Sequence, residues 1–435
     1  MDKLLSKINI KLTLAGSISL LLYLIAAIYS GPDGILVYMI TNVLLFFIWF
    51  ATLFFLEKES VSKPDVLKII IVFSVLFRVV LLFSQPTTSD DVHRYLWEGK
   101  LVLNGVNPFE YTPDSEELEE FHSENLPRLV SYQHMTTIYP PVAQYIFAAG
   151  YLISGESDIG LKIIHLLFDL LTILVLIRFL KFKNLPAHYS IVYAWLPLTI
   201  MEYFINSHID VAGVFFLVLL LYYFETGNYI LASIPFALGV MVKLYPLMLI
   251  PYFLLRFRIK QSIIFFGIAS IILITFSISF IPDKVPVTDS FSTYMENWSF
   301  YGSFFSVLKT IFANETARTV TYIMLVLVIG GISYYVKDII KATYFTSISH
   351  VIFIPTLFPW YLGYLAVTQP FKRLFAVYWL FFALNLTNLT PLLKPWKEYL
   401  WVGLILYIPF FVLLIPEIKS LIKHQSKEHE YPQKH

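Results

Sequence analysis

Apolar residues run along this chain in long blocks of roughly 17 to 25 residues, and polar residues gather in the stretches between them. An α-helix satisfies its own backbone hydrogen bonds, which lipid cannot do, so each block predicts one membrane-spanning helix. Clear blocks lie at 12–29, 35–56, 67–84, 159–180, 188–205, 209–225, 261–281, 319–337, 373–390 and 398–416. Residues 229–256 and 343–371 are each too long for one span and short for two, with breaks at Lys243-Leu244-Tyr245-Pro246 and Pro359-Trp360. Each predicts a pair of short helices meeting on the non-cytoplasmic side. The expectation is thus about fourteen spans in one all-α polytopic membrane domain covering 1–435.

Charge sets the orientation, because Lys and Arg collect in cytoplasmic loops. With the N-terminus inside, the cytoplasmic segments hold Lys3, Lys7 and Lys11; Lys58, Lys63 and Lys68; Arg178, Lys181 and Lys183; Arg256, Arg258 and Lys260; Lys337 and Lys341; Lys372 and Arg373; and Lys419, Lys423, Lys427 and Lys434. These are most of the 31 basic residues, and every cytoplasmic segment except the turn 225–228 carries some of them. Both termini are therefore expected in the cytoplasm. The segment 139–155 cannot cross fully without inverting everything after it, so it is expected to lie in the interface or re-enter shallowly. That leaves a long external loop at 85–158, a second at 282–318, and a polar cytoplasmic tail at 424–435 that is expected to be disordered.

Composition agrees with a membrane protein: 57% apolar, 14% charged, and a mean hydropathy of +0.70. The net charge of +1 gives no reason to expect a nucleic-acid partner. The absence of cysteine excludes disulfides, cysteine-held metals and thiol catalysis. The first block follows three lysines as a signal peptide would, but lacks a small-x-small cleavage site and is taken as a retained helix.

Candidate chemistry concentrates at 87–111, where Asp90, Asp91, His93 and Arg94 follow directly on an apolar block. A carboxylate at a partly dry interface can act as a general base toward a hydroxyl, because desolvation raises its pKa toward a working value. The plainer account is a helix N-cap, with Ser89 or Asp90 ahead of a helix at 92–102 whose Tyr95 and Trp97 suit the headgroup region. Acidic residues at 114–124 read as the solvated face of a short helix. His134 and Tyr139-Pro140-Pro141 precede the shallow segment, although a lone histidine is usually structural or on the surface.

Other polar groups recur at the external ends of spans: Glu202, Asn206-Ser207-His208-Ile209-Asp210, Lys243 beside Tyr245, Asn297-Trp298-Ser299-Phe300-Tyr301, and Trp360-Tyr361. Turn chemistry, snorkelling and an aromatic belt explain each alone. Together they share one membrane face with Asp90 and Asp91. Lys243, a cation in the apolar half of a broken helix, is the costliest of them and the best candidate for an anion such as phosphate. Within the spans, Arg78 can pair with Asp169 or with Glu202, and His165 shares a helix face with Asp169.

These motifs resemble those of the GT-C membrane glycosyltransferases, and among them the bacterial polyprenol-phosphate-mannose-dependent mannosyltransferases. The matching pieces are Ser89-Asp90-Asp91 with Arg94-Tyr95 and Gly99, Gly105-x-Asn107-Pro108, Thr137-Ile138-Tyr139-Pro140-Pro141, His208-x-Asp210, Lys243-x-x-Pro246 and Pro359-Trp360-Tyr361-Leu362, in the family's order. The resemblance implies a GT-C fold and an inverting hexosyl transfer, mannose first, from a polyprenyl-phosphate donor lying between helices to an acceptor hydroxyl on a glycan, lipid or protein. It implies Asp91 as base, with Asp90 orienting the acceptor or a neighbouring base. Arg94, Lys243 and His208 would neutralise the leaving phosphate, and Tyr95, His134, Tyr139, Asp210, Tyr245, Trp298, Tyr301, Trp360 and Tyr361 would complete the donor phosphate and sugar site. Several members of the class work without a metal and no ligand cluster here demands one, so no cofactor is expected and a divalent ion is left open. The implied location is a bacterial-type inner membrane, with the site on its external face. The chain departs from the family in having three spans rather than fewer before the acidic loop. A lipid-sugar flippase or secondary transporter is the alternative, since broken helices and intramembrane charge also serve carriers.

Overall fold

The computed structural model describes residues 2–58, 64–282, 289–393 and 397–430, with side chains described from residue 7 to residue 420. Lys63 and part of the second external loop, 283–288, lie outside the described residues, as do 431–435. Among the described residues all regular structure is helical, and the extended backbone amounts to isolated bridges of Phe300 and Tyr301 with Thr356.

Among the described residues, seven helical segments are long and apolar enough to cross a membrane: Lys7–Ile28, Pro32–Glu57, Ile159–Phe182, Ile259–Phe280, Asn314–Tyr335, Phe375–Leu392 and Leu400–Ser420. The chain is thus a polytopic helical membrane protein. The other predicted spans are shorter or interrupted helices: Pro64–Val80 has 17 residues and Asp210–Glu225 has 16. The block 188–205 is not one helix. It divides into Ala187–Ser190, Ile191–Ala194 and Pro197–Phe204, because Pro197 lacks an N–H and disfavours helical backbone at Leu196 before it. Both predicted breaks are present. Tyr229–Val240 ends before Lys243 and helix resumes at Tyr245, while Ile339–Phe353 gives way to extended backbone before Pro359–Leu362. The polar tail, expected to lack order from 424, continues the helix Leu400–Glu430.

Lipid-facing surfaces are apolar where a soluble protein would be polar. Ile263, Ile271 and Ile274 on one helix, and Val326 and Leu327 on another, are each more than half exposed. Several polar groups point inward and pair with one another. Arg78, fully buried, donates from Nε to Asp169 Oδ2 at 2.5 Å and from Nη1 to the carbonyls of Ser74 and Ala194. Tyr193 Oη donates to the other Asp169 oxygen at 2.6 Å. Of the two carboxylates open to Arg78, Asp169 is therefore the partner, and Glu202 is left to the site described below.

Helices α1 (Asp2–Ile28), α2 (Ile35–Lys58) and α3 (Pro64–Val80) pack together, and α3 delivers the chain into the long loop region 85–158. There α4 (Asp91–Leu103) lies against α5 (Pro141–Ser154), and α5 leads into α6 (Ile159–Phe182). Gly99 permits the close approach of α4 and α5, since a Cβ at that position would stand 2.4 Å from the Phe147 carbonyl oxygen. The 14-residue α5 falls short of the roughly 20 residues a spanning helix needs. The acidic stretch contains a short 3₁₀ helix, Glu116–Phe121, that buries Leu118 and exposes its four glutamates.

Removing one member of a buried ion pair leaves the other charge uncompensated, at a cost of about 3–5 kcal/mol. Arg78→Met alone is expected to lower the thermal unfolding temperature of the detergent-solubilised protein, and Arg78→Met with Asp169→Leu to recover much of the loss. An unchanged transition in the single variant would contradict a structural role for the pair.

Candidate active site

The approach to Asp91 is fixed by polar contacts that begin at the end of α3. Ser84 Oγ donates to the Phe204 carbonyl at 3.0 Å, and the buried ammonium of Lys162 binds the Ser84 carbonyl and Asp158, the latter at 2.8 Å. Gly31 N donates to Thr87 Oγ1 at 3.0 Å, with a backbone φ of 110° that favours glycine. Asn206 then secures the loop. Its Oδ1 accepts from the backbone N–H of Thr87 at 3.1 Å and of Thr88 at 3.0 Å, and its Nδ2 donates to Thr88 Oγ1 at 2.8 Å and Glu202 Oε2 at 3.0 Å. Tyr38 Oη donates to Glu202 Oε1 at 2.8 Å, which ties α2 to the same point.

Helix α4 starts at Asp91 itself. Asp90 occupies the N-cap position but makes no capping bond; its carboxylate accepts from Ser131 Oγ instead. The N-cap account of the Asp pair therefore does not hold for Asp90.

Around Asp91 converge groups from four separate elements. Tyr139 Oη, at the entry to α5, donates to Asp91 Oδ2 at 3.4 Å, and His208 Nδ1 stands 3.7 Å from the same oxygen. Lys243, at the first helix break, is 3.2 Å from Asp210 Oδ2 and lies over the rings of Tyr361 at 5.1 Å and Tyr139 at 5.8 Å. Trp360, at the second break, stacks on His208 with centroids 3.6 Å apart. Asp91 keeps 36% of its side-chain surface exposed, whereas His208 and Asp210 are fully buried. Its pKa is raised to about 6 by burial first and by the Asp90 charge second, against the opposing pull of Lys243 and Arg94. The cluster thus combines a carboxylate raised toward neutrality with a cation, each keeping part of its side-chain surface exposed.

Other predicted residues take different places. Arg94 spends its guanidinium on the carbonyls of Ser131, Tyr132 and Met135 and on Glu98, so it holds the 131–135 loop beneath Asp90. Tyr95 is buried, stacked on Phe147, with its hydroxyl 3.3 Å from that of Tyr139. His134 is exposed, with its ring toward Tyr132. Tyr245 bonds Ser347 and stacks on Tyr364. Trp298 packs against Tyr132 and Tyr294, and Tyr294 reaches Tyr361 through hydroxyls 3.0 Å apart. Tyr301 is buried; its hydroxyl accepts from Tyr399 N and meets Thr390, and its carbonyl accepts from Tyr407, so it anchors the last helix.

Sequence reasoning missed Glu98, which is buried and accepts from Thr137 and Gln144, each at 2.8 Å. A carboxylate on the apolar face of an amphipathic helix was the available signal. Tyr38 gave none, because its partner lies 164 positions away. Among the described residues no group of three or more His, Cys, Asp or Glu side chains is placed to hold a metal ion.

A family model described as the N-terminal domain of alpha-(1->6)-mannopyranosyltransferases matches residues 20–258, more than half of the chain. No curated protein and no solved structure matches. The matched region includes Asp90, Asp91, Tyr139, His208, Asp210 and Lys243, and leaves out Trp360 and Tyr361.

Infrared difference titration of the wild type against Asp91→Asn is expected to show a carboxyl band disappearing with a midpoint near pH 6. Lys243→Met is expected to move that midpoint upward, because the ammonium favours the ionised form. A midpoint near 3.8 would contradict the burial account.

Proposed function

Because the chain belongs to the alpha-(1->6)-mannopyranosyltransferase family, we propose that it transfers mannose from a polyprenyl-phosphate-linked donor to an acceptor hydroxyl on the non-cytoplasmic membrane face, with inversion at the anomeric carbon. One observation carries the proposal: the Asp91 carboxylate is partly exposed and poised near neutrality, in one cluster with the Lys243 ammonium. The pair supplies the two things that glycosyl transfer from a phosphate needs, a base for the nucleophile and a cation for the leaving group.

In the proposed step Asp91 takes the proton of the acceptor O–H as that oxygen bonds the anomeric carbon. The bond from that carbon to the phosphate oxygen breaks, and the phosphate leaves with the electron pair, its charge met by Lys243. Inversion converts a β-linked donor into an α-linked product, so the α-linkage in the family's name calls for a β-configured lipid phosphate. Tyr361, partly exposed beside Lys243, offers an aromatic surface for the sugar, whereas Trp360 is sandwiched between His208 and Phe358. The distribution of basic residues supports an external site and cytoplasmic termini, and the apolar blocks of the sequence support an architecture of about fourteen spans.

Asp91→Asn keeps the shape and removes the basicity. In membranes supplied with polyprenyl-phosphate mannose it is expected to lower transfer by roughly 10²–10⁴-fold while donor binding persists. Full transfer in that variant would remove Asp91 from the role, and loss of transbilayer movement of the lipid-sugar in place of transfer would favour a carrier.

A further inference from the structure

His208 belongs to the Asp91 cluster but has no exposed surface to offer a phosphate. It is fully buried, its ring is held face to face with Trp360, and neither ring nitrogen has a hydrogen-bond partner. Each nitrogen faces a carboxylate: Nδ1 lies 3.7 Å from Asp91 Oδ2 and Nε2 lies 3.5 Å from Glu202 Oε2. Both separations are within roughly 1 Å of hydrogen-bond length.

A neutral imidazole has one N–H and one lone pair, so it can donate to only one of two ionised carboxylates. The other contact is attractive only where the carboxyl itself carries a proton. Glu202 is the group built for that state, because it is 2% exposed and enclosed by Tyr38 and Asn206, whereas Asp91 reaches solvent.

We propose that His208 is a positioning residue for Asp91: Glu202, protonated, donates to Nε2 and so directs the single N–H, on Nδ1, at Asp91 Oδ2. Tyr139 Oη bonds the same oxygen. With two donors converging on Oδ2, Oδ1 is the atom left to receive the acceptor's proton. The Trp360 stack keeps the ring from turning away, which gives the second helix break a role in aiming the base. This rests on Asp91 being the base. The other ionisable groups facing Asp91 are Asp90 before its helix and Arg94 on it, Tyr95, Tyr132, Tyr139, Asp210, Lys243 and Tyr294; besides the two carboxylates, Lys243 and His165 face His208.

The test compares pH–rate profiles for transfer from polyprenyl-phosphate mannose. His208→Phe keeps an aromatic ring against Trp360 and removes the N–H, so the acid limb is expected to move up by about one pH unit, with kcat reduced and the donor KM unchanged. Glu202→Gln presents an amide N–H to Nε2 as the protonated carboxyl does, and is expected to keep activity within threefold with the limb in place. An unmoved limb in His208→Phe, or a hundredfold loss in Glu202→Gln, would overturn the inference. Where His208→Phe does not fold, His208→Asn, whose amide can still donate toward Asp91, carries the same test: its limb is expected between those of the wild type and a His208→Ala variant, and a limb equal to that of His208→Ala overturns the inference. Asp91→Asn separates the two claims. If it is inactive and the His208 variants leave the limb unmoved, only the positioning role falls; if it is active, the base assignment falls.

Discussion

The site depends on the side-chain amide of Asn206. Its oxygen takes both backbone N–H groups of the loop before α4, and its nitrogen gives protons to Thr88 and Glu202. A single planar group thereby fixes the start of α4, and so Asp91, relative to the turn that carries His208 and Asp210. In a chain that is only 14% charged, such a junction is costly to bury and so has to be fully satisfied.

The physical setting explains why the chemistry sits where it does. Spanning helices leave no free backbone groups in the lipid, and irregular backbone is tolerated only where protein or water covers it. The helix breaks at Lys243 and at Pro359, the short helix α5 and the junction at Asn206 are such places, and they supply nearly every polar group near Asp91. Inside the bundle, Arg78 and Asp169 neutralise each other and take no part in the site. At its end, Asp91 stays partly exposed, so burial raises its pKa to about 6 without abolishing its charge at neutrality.

The fold class was legible because lipid imposes a strong pattern: block lengths, breaks and basic loops each left their mark in the sequence. Span integrity was less so, and Pro197 interrupts a block whose hydropathy is continuous. Within the site, Asp91, His208, Asp210 and Lys243 were nameable because charge near an apolar block is expensive and therefore conspicuous. Arg94 was equally conspicuous, but the structure engages it with loop carbonyls from 131 to 135, and no sequence rule shows which carbonyls lie within reach. Tyr301 looked like a sugar platform and anchors the last helix instead. Tyr38 and Glu98 were hidden because burial and long-range pairing, not residue type, give them their roles.

In the proposed transfer Asp91 is a base that must be ionised to act. A single-turnover pH–rate profile for mannose transfer from the lipid phosphate tests that assignment most directly, because product release and membrane partition drop out of it. The account predicts a rate that is flat above neutrality and falls tenfold per unit below an apparent pKa of about 6. A profile that stays flat down to pH 4 would contradict it.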